Sequence, residues 1–570
     1  MLAVLLGSRF GSSGDRADLD RVIYLHLEVL KTRPPSHPER YNTLINLGSS
    51  LHTQFGQTGQ RKSLYDAITL LREAVNLVPS PSDSKCSALN ALSSALRTRY
   101  EEETRKEDIL EAIELQKEVM KYDSSVASVS TFVGILFSQY KPFTGNGALL
   151  DPMIEMCEKS LATCEPHYSP IVQSNLGNLL RLRYSEFQQL EDLTKAIQLL
   201  RQSTSSLSES HPVQCATCMA LGGALFEMST LTKDAIIMDE GAAAFRRAVD
   251  HPSAPTATKF IAARAWAEVA DRHDHNSAME ACRSAIALLP LLAALNTGFE
   301  SRLETLTSRS ASTNDLAIMA AACALKGGDL MAAIELLEAG RAVFWNQALK
   351  LRPPMRDLEA CHPDLASQFM RIGKDLEAGS FSTGKNADGM DGLSLSEDHV
   401  KSHQLETLSA EWQRTLEEIR LLPGFEDFLR PWRFADFSAC CHDGPVVILF
   451  TNPAFTTAVM MNKDYTKHIQ LDLTLKEASG LVKMIMSVRS IGANRTQLME
   501  SAIEDLRDTS LEDDFVFSSD RSMKVVQAHV PSASDVLADI LQILWVKLVE
   551  PIIRTLGLKV SCLWPGYYSY

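Results

Sequence analysis

Apolar side chains recur at a helical spacing in the first part of the chain, and the helices that they predict recur at a second, longer spacing. Leu44, Leu47 and Leu51 form one apolar stripe, because positions i, i+3 and i+7 share a face of an α-helix. An aromatic residue closes each such helix, and a polar loop and a second helix follow. These aromatic residues are Phe10, Phe55, Tyr100, Tyr140 and Tyr184, with steps of 45, 45, 40 and 44 residues. Such a period is typical of a helical repeat array.

Small residues recur inside the predicted first helices, at Gly48, Ser93, Gly177 and Gly222. Glycine in a helix costs about 1 kcal/mol relative to alanine, so its recurrence predicts that a neighbouring helix approaches closely at these positions. The second helices are predicted to begin at Leu19, Leu64, Ile109 and Leu193. Later copies are weaker and include Gly241–Val249, Lys259–Val269 with Ala278–Leu289, and a last hairpin of Leu316–Leu325 and Leu330–Phe344.

Paired helices with small and large residues at fixed places resemble tetratricopeptide repeats. The standard unit has about 34 residues, whereas these units have 40–45 residues, a length also found in HEAT and armadillo repeats. Alternation of Leu-Gly in the first helix with Ala-Ile in the second favours the tetratricopeptide interpretation. The constant offsets disfavour an irregular helical domain. Leu2, Leu6 and Phe10 align with Leu47, Leu51 and Phe55, so we expect the chain to begin inside a repeat, through truncation of the protein or of its gene model.

The pattern changes in the last third of the chain. Val446–Phe450 is a continuous apolar run that predicts a strand buried on both faces, and Ala454–Met461 and His468–Leu473 predict two further strands. Thr474–Ser487 and Ser534–Leu556 predict helices that cover this sheet. A glycine-rich stretch near 377–396 predicts a disordered insert ahead of a charged helix.

Composition narrows the possible functions. The net charge of −15 argues against a nucleic-acid partner, because phosphates require a basic face. No apolar run reaches the roughly 18–20 residues of a membrane span. The 11 cysteines are scattered without the spacing of a disulfide framework, which predicts reduced thiols and a cytoplasmic protein.

Three segments carry a resemblance to a known family. They are LEAGRAVFWNQALKL at 337–351, LLPGFEDFLRPWRFAD at 421–436 and GPVVILF at 444–450. Their succession resembles the fungal proteins in which tetratricopeptide-like repeats precede a CHAT domain, a caspase-like cysteine peptidase domain. The resemblance implies repeats that control or target a peptidase. No residue matches the family's catalytic His or Cys, so we expect no intrinsic proteolysis.

The predicted fold is therefore mostly α, a tetratricopeptide-like helical superhelix followed by a partial α/β, caspase-like domain. Residues 1–345 are assigned to the repeats, 346–440 to a helical junction that contains the insert, and 441–570 to an incomplete CHAT domain. The predicted function is a protein–protein interaction scaffold that binds a protein or peptide on the concave face of the repeats. The alternative is a fragment of an active caspase-like cysteine endopeptidase regulated by its repeats.

Other groups of chemically active residues have a simpler structural interpretation. We interpret Cys440-Cys441-His442 as packed thiols rather than as a peptidase dyad. We likewise interpret the pair Cys215 and Cys218, which has His211 nearby, as packed thiols rather than as a zinc site. His273-Asp274-His275 is interpreted as a solvated turn rather than a metal site, and Gly327-Gly328 as a turn without phosphate-loop context. The charge run Glu101–Asp108 is interpreted as a solvated loop. No catalytic, cofactor-binding or metal-binding residue is predicted.

Overall fold

The computed structural model describes residues 2–13, 16–79, 82–123, 125–140, 147–211, 213–252, 254–292, 313–341, 343, 355–382, 392–430, 433–442, 444–452, 455–489, 497, 501 and 533–558. The chain divides into two compact units, one of Met1–Ala317 with Glu338–Arg430 and one of Ile318–Leu337 with Pro431–Tyr570. The described residues are mostly helical, with one small antiparallel sheet. This confirms the mostly α class.

The first unit begins with helices that pack in consecutive pairs. They are α1 (Leu2–Ser13), α2 (Arg16–Thr32), α3 (Arg40–Thr58), α4 (Arg61–Leu77), α5 (Asp83–Glu103), α6 (Lys106–Val119), α7 (Val126–Tyr140), α8 (Gly147–Thr163), α9 (Ser169–Phe187), α10 (Leu190–Ser206), α11 (Gln214–Thr232), α12 (Ala235–Val249), α13 (Thr256–Arg272) and α14 (Ala278–Leu292). Each odd-numbered helix, called here a first helix, packs against the even-numbered second helix that follows it. The pairs of the repeat pattern are therefore present.

The aromatic residues of the repeat mark the last turn of the first helices. The carbonyl oxygens of Phe55, Tyr100 and Tyr184 each accept a hydrogen bond from the backbone N–H of the residue four places later. Those later residues, Gly59, Thr104 and Gln188, are left-handed, with φ between 56° and 68°. Lys233 ends α11 in the same way on the carbonyl of Ser229. The chain thus leaves each of these first helices through the same left-handed cap.

Glycines inside the first helices allow close contact with the second helices. A Cβ atom at Gly48 would lie 2.6 Å from Cγ of Leu71, and one at Gly177 would lie 2.8 Å from Cγ of Leu200. On α11 a Cβ atom at Gly222 would lie 2.6 Å from the ring of Phe245. The predicted close approach is confirmed at all three glycines.

The third repeat replaces this apolar contact with a polar one. Ser93 stands at the place of Gly48, and Gln116 at the place of Leu71, 45 residues later in both cases. Gln116 Nε2 donates to Ser93 Oγ at 2.6 Å and to Asn90 Oδ1 at 2.8 Å, and both Ser93 and Gln116 are fully buried. Where Ser replaces Gly in the first helix, Gln therefore replaces Leu at the contacting position of the second helix.

A polar pair whose second residue is buried joins the two helices of several repeats, and we call it the clasp. Arg99 lies directly before the aromatic residue, and its Nε and Nη2 donate to the two carboxylate oxygens of Asp108 at 2.7 and 2.6 Å. The same spacing of nine residues joins Arg9 to Asp18 and Arg183 to Asp192, and an uncharged version joins Gln54 to Ser63. The interpretation of Glu101–Asp108 as a solvated loop is wrong, because α5 continues to Glu103, α6 begins at Lys106 and Asp108 is buried in the clasp.

Further helices of the first unit form a small aromatic core. After the paired helices the chain forms α15 (Thr313–Lys326) and α16 (Leu330–Arg341). The helices that follow are α17 (Arg356–Cys361), α18 (Pro363–Ser382) and α19 (Gly392–Arg420). Phe369 and Trp412 pack with ring centroids 5.2 Å apart. The predicted insert near 377–396 is wrong at both ends, because α18 continues to Ser382 and α19 starts at Gly392. Its central part, 383–391, lies outside the described residues.

The second unit contains the turn between α15 and α16 and the only sheet of the described residues. Gly328, with φ +77°, forms the expected C-cap of α15. Asp329 forms the expected N-cap of α16, because its Oδ1 accepts a hydrogen bond from the backbone N–H of Ala332 at 2.9 Å. Strands β1 (Val446–Thr451), β2 (Thr456–Met461) and β3 (Thr466–Leu471) pair antiparallel in the order β1-β2-β3.

The burial of the sheet differs from the sequence prediction. Val446–Phe450 was expected to be buried on both faces, but β1 is an edge strand and Leu449 is 40% exposed. The strand whose side chains are all buried is instead the central strand, β2. An alternating or continuous apolar run does not by itself say which strand is central, because that depends on strand order.

The remaining elements of the second unit are helical. They are α20 (Phe434–Ala439), a 3₁₀ turn (Cys440–His442), α21 (Leu475–Arg489), α22 (Ala533–Leu544), a π-helical segment (Trp545–Val549) and α23 (Glu550–Leu556). One face of β2 and β3 packs on Ile552 of α23. Lys547 in the π-helical segment is 5% exposed and donates to Glu477 Oε1 at 2.6 Å. Burial alone would raise the pKa of Glu477, but the bonds from Lys547 and Thr474 lower it.

Among the described residues, no helix combines the length and the hydropathy needed to cross a bilayer.

The close approach at Gly48 gives a test of the repeat packing. We expect Gly48→Ala to destabilise the protein by about 1–3 kcal/mol, since the added methyl group overlaps the fully buried Leu71. Gly56→Ala in the same helix has open space around it and should be neutral or stabilising by up to about 1 kcal/mol. Urea denaturation of both variants measures the difference. Equal stability of the two variants would show that the helices do not touch at Gly48.

The clasp gives a second test. We expect Arg99→Gln and Asp108→Ser, made singly, each to cost about 3 kcal/mol, because one buried charge is left without its partner. The double variant copies the natural Gln54 and Ser63 pair and should cost less than either single variant. A double-mutant cycle of unfolding free energies gives the coupling between the two residues. Additive losses would mean that the pair does not act as a clasp.

Candidate functional site: the exposed stripe of the first helices

On α3, α5 and α9, a stripe of mostly exposed or half-buried positions lies opposite the face that packs on the second helix. On α3 the stripe is Asn42, Asn46, Ser49 and Thr53, at i, i+4, i+7 and i+11, whereas Leu44, Leu47 and Leu51 are buried. The polar members of the equivalent stripes on α5 and α9 are Ser87, Ser94, Thr98, Asn175 and Asn178. We call these positions together the first-helix stripe. It consists mainly of Asn, Ser, Thr and Ala, and it holds no aromatic residue on these three helices.

Side-chain hydrogen bonds join the first helices of neighbouring repeats beside this stripe. His52 Nε2 lies 2.8 Å from Thr98 Oγ1, which links α3 to α5. Two amide groups make the next links: Asn90 Nδ2 donates to Ser128 Oγ, and Asn175 Nδ2 donates to Ser130 Oγ, both at 2.6 Å. The hydroxyls of Ser174 and Thr217 lie 2.9 Å apart between α9 and α11. These contacts hold the stripes of successive helices in a common register.

Charged side chains along the same surface are paired with each other. Arg181 of α9 donates to Glu227 of α11, with Nη2 2.6 Å from Oε1. Arg97 pairs with Glu101 at 2.7 Å, and Arg264 pairs with Glu268 at 2.8 Å. Because each Arg is matched by a carboxylate, the surface offers no net charge to a ligand from these pairs.

Some amide groups of the stripe have no hydrogen-bond partner among the residues that the structure describes. Within the described part of the chain, the side chains of Asn46 and Asn178 make no hydrogen bond. A carboxamide has two N–H donors and a carbonyl acceptor, which match the carbonyl and N–H groups of a peptide backbone. The stripe therefore has the chemistry to bind an extended main chain without selecting for charge.

The first helices contact one another in a closed circuit. Helix α3 contacts α5, and contacts continue from α5 to α7, from α7 to α9, from α9 to α11 and from α11 to α13. Helix α13 in turn contacts α3. The first and last of these helices are adjacent although 197 residues, 59–255, separate them in the sequence.

The Cys pair of α11 is buried, as expected from its interpretation as core packing. Cys215 Sγ contacts the carbonyl of Ala248 at 3.2 Å, and Cys218 is fully buried. Burial raises the pKa of Cys215 to about 11. Such a thiol remains protonated near neutral pH and is a poor nucleophile or metal ligand.

The solvated-turn interpretation of His273-Asp274-His275 is wrong for His275. Its side chain is only 9% exposed. Nδ1 lies 2.7 Å from Ser277 Oγ, Nε2 lies 3.1 Å from Asp239 Oδ1, and Trp266 Nε1 donates to the same Ser277 Oγ at 2.9 Å. Since Ser277 is buried and directly precedes α14, this chain of bonds fixes the end of the turn.

The Cys440-Cys441-His442 segment forms the short 3₁₀ turn of the second unit. Cys441 is buried, with Sγ 3.9 Å from the carbonyl oxygen of Phe437, whereas Cys440 is exposed. The prediction of packed thiols therefore holds for Cys441 and is wrong for Cys440. Across the described residues, no group of three or more His, Cys, Asp or Glu side chains has a geometry suited to a metal ion.

His52 gives a pH-dependent test of the link between α3 and α5. Burial and the nearby positive charge of Arg97 lower the pKa of His52 to about 4. The unfolded value is about 6.5, so the stabilisation is complete above that pH and is lost as the pH falls through 4. We expect the wild type to lose about 2 kcal/mol more than His52→Gln between pH 7 and pH 4.5, measured by urea denaturation. His167→Gln, at an exposed position, is the control; equal losses in all three proteins would contradict the burial of His52.

Comparison with known proteins assigns no family to the chain. No protein-family model and no curated protein matches the sequence.

Proposed function

We propose that this protein is a protein–protein interaction scaffold of the tetratricopeptide–CHAT type. In this proposal the paired helices form a superhelix, and the first-helix stripe on its concave face binds an extended segment of a partner protein. The observation that carries the proposal is the set of unpartnered amides, represented by Asn46 and Asn178, on a surface whose charges are already paired. Repeat arrays of this kind provide extended binding surfaces because each unit contacts mainly its neighbours.

The chemistry of the stripe favours a peptide main chain over other ligands. A nucleic acid would need unpaired cations along the surface, whereas Arg97, Arg181 and Arg264 each have a carboxylate partner. A large apolar partner surface would need aromatic anchors, which the stripe lacks on α3, α5 and α9. Polar amides and hydroxyls instead suit the regularly spaced N–H and carbonyl groups of an extended chain.

The cysteines favour a scaffold over the alternative of a cysteine peptidase. Burial raises the pKa of Cys157 to about 12 and that of Cys215 to about 11. The cysteines that the structure describes are free thiols, which suits the proposed cytoplasmic location.

Peptide selection tests this function. A random library of linear peptides is selected against the purified full chain, and the Kd of one selected peptide is measured by fluorescence anisotropy. We expect Asn46→Ala and Asn178→Ala each to weaken binding by about 5- to 10-fold, the effect of one lost hydrogen bond. Asn76→Ala, at an exposed position of the second helix α4, should leave the Kd unchanged.

Two results would count against the proposal. One is a library that yields no saturable binder. The other is a selected peptide that binds the Asn46, Asn178 and Asn76 variants with equal affinity, which would place the binding surface elsewhere.

A further inference from the structure

The outer edge of β1 carries backbone groups that β2 does not use. In the order β1-β2-β3, no other strand among the described residues lies beside β1. The backbone N–H of Asn452 donates to the carbonyl oxygen of Phe455, and this bond fixes the alternation of the antiparallel ladder. The residues that exchange hydrogen bonds with β2 are then Val446, Ile448 and Phe450. The residues whose N–H and carbonyl groups point to the outer edge are Val447, Leu449 and Thr451.

The outer edge of β1 lacks the features that usually keep a further strand away. Charged side chains, prolines and bulges within an edge strand protect it from pairing with another chain. β1 reads VVILFT, which contains no charge and no proline, and its six residues pair with β2 without a bulge. The opposite edge strand, β3, instead carries the exposed side chains of Lys467 and His468. Of the two edges, that of β1 is therefore the one suited to accept a strand.

The outward groups of β1 match those of a second copy of the same strand. Leu449 is the central outward residue, with Val447 and Thr451 two places before and after it. In an antiparallel pair about a two-fold axis at Leu449, this residue faces its own copy and Val447 faces Thr451. Each facing pair exchanges two hydrogen bonds, so every outward N–H and carbonyl group gains a partner. Pro445 and Pro453 stand four places from Leu449 on either side, so neither end has a donor that would extend the ladder.

The side chain of Leu449 adds an apolar contact to this pairing. It lies on the same face of the sheet as Val447 and Ala458, which pack in the cluster around Ile552 of α23. Leu449 itself is 40% exposed. Directly opposed residues of an antiparallel pair lie on one face, so the two Leu449 side chains would meet at the axis. The pairing therefore removes from water an apolar surface that the single chain leaves exposed.

We propose that β1 is an interface between two copies of this chain, which joins their three-stranded sheets into one continuous antiparallel sheet. The strand order across the interface is β3-β2-β1 in one copy followed by β1-β2-β3 in its partner. This interface goes beyond the proposed function, because β1 belongs to the second unit and the first-helix stripe to the first. Loss of the dimer therefore leaves peptide binding at the stripe unchanged.

Sedimentation of the full chain at increasing concentration tests for the dimer. We expect a reversible monomer–dimer equilibrium that Leu449→Lys weakens by at least about 10-fold, because two like charges then face each other at the axis. Leu449→Pro should weaken it as well, because this change removes only an outward N–H and spares the hydrogen bonds to β2. Gln470→Lys, at an exposed position of the other edge strand, is the matched control and should dimerise like the wild type. Urea denaturation of each variant checks that it is folded.

Disulfide cross-linking tests the register of the pairing. The two residues at the axis form a hydrogen-bonded pair with Cα atoms about 5.5 Å apart, a distance that a disulfide spans. We expect Leu449→Cys to form a covalent dimer on mild oxidation. Val447→Cys and Thr451→Cys should each stay monomeric alone and should cross-link when mixed, because each faces the other across the interface. The oxidised wild type, which has its own free thiols, gives the background on the same non-reducing gel.

Three results would overturn the proposal. One is a monomer at every concentration, which would mean that a different protein or another segment of this chain takes the edge. The second is a dimer that neither Leu449→Lys nor Leu449→Pro weakens. The third is a Val447→Cys variant that cross-links with itself as efficiently as Leu449→Cys does. Peptide binding by the Leu449→Lys variant, measured separately, reports on the scaffold function and not on this interface.

Discussion

The rest of the helical unit depends on how closely the first and second helices of each repeat can approach. At Gly48, Gly177 and Gly222 a side chain of the second helix occupies the space that a Cβ atom would need. Close packing brings dispersion contacts that a looser pair of helices would lack. In the third repeat the two helices are instead joined by a buried hydrogen bond between Ser93 and Gln116. The repeat thus conserves the fit between a small and a large position rather than one residue type.

Two polar features then fix the geometry of the loop between the paired helices. The left-handed cap at Gly59, Thr104, Gln188 and Lys233 ends the first helix at a constant place. The clasp, seen best in Arg99 and Asp108, joins the end of the first helix to the start of the second. An acid in the first turn of a helix is also favoured by the partial positive charge of that helix end. The loop is therefore held by buried contacts at both of its ends, although its composition is polar.

These constraints direct the exposed stripe of each first helix to a common surface. Because the apolar side of α3, α5 and α9 packs on the second helix, the polar residues Asn, Ser and Thr lie on the opposite side of these helices. Hydrogen bonds such as those from His52 to Thr98 and from Asn175 to Ser130 then align neighbouring stripes. The candidate binding surface is a consequence of the packing, and α3, α5 and α9 each add polar groups to it.

The sequence by itself determined the repeat, the pairing of helices, the close approach at the recurring glycines and the presence of three strands. All of these follow from local periodicity, which depends only on the spacing of residues along the chain. The clasp also had a sequence signal that was missed: an Arg directly before the aromatic residue and an Asp nine places later, as in Arg183 and Asp192.

Only the tertiary structure decided which polar residues are buried and which strand is central. Asp108 and His275 lie in segments that read as solvated loops, and their burial depends on partners that the local pattern does not specify. The exposure of Leu449 depends on strand order, and the contact between α13 and α3 depends on curvature summed over several repeats. Small rotations between neighbouring repeats add up along the array, so contacts between distant repeats are not visible in any one of them.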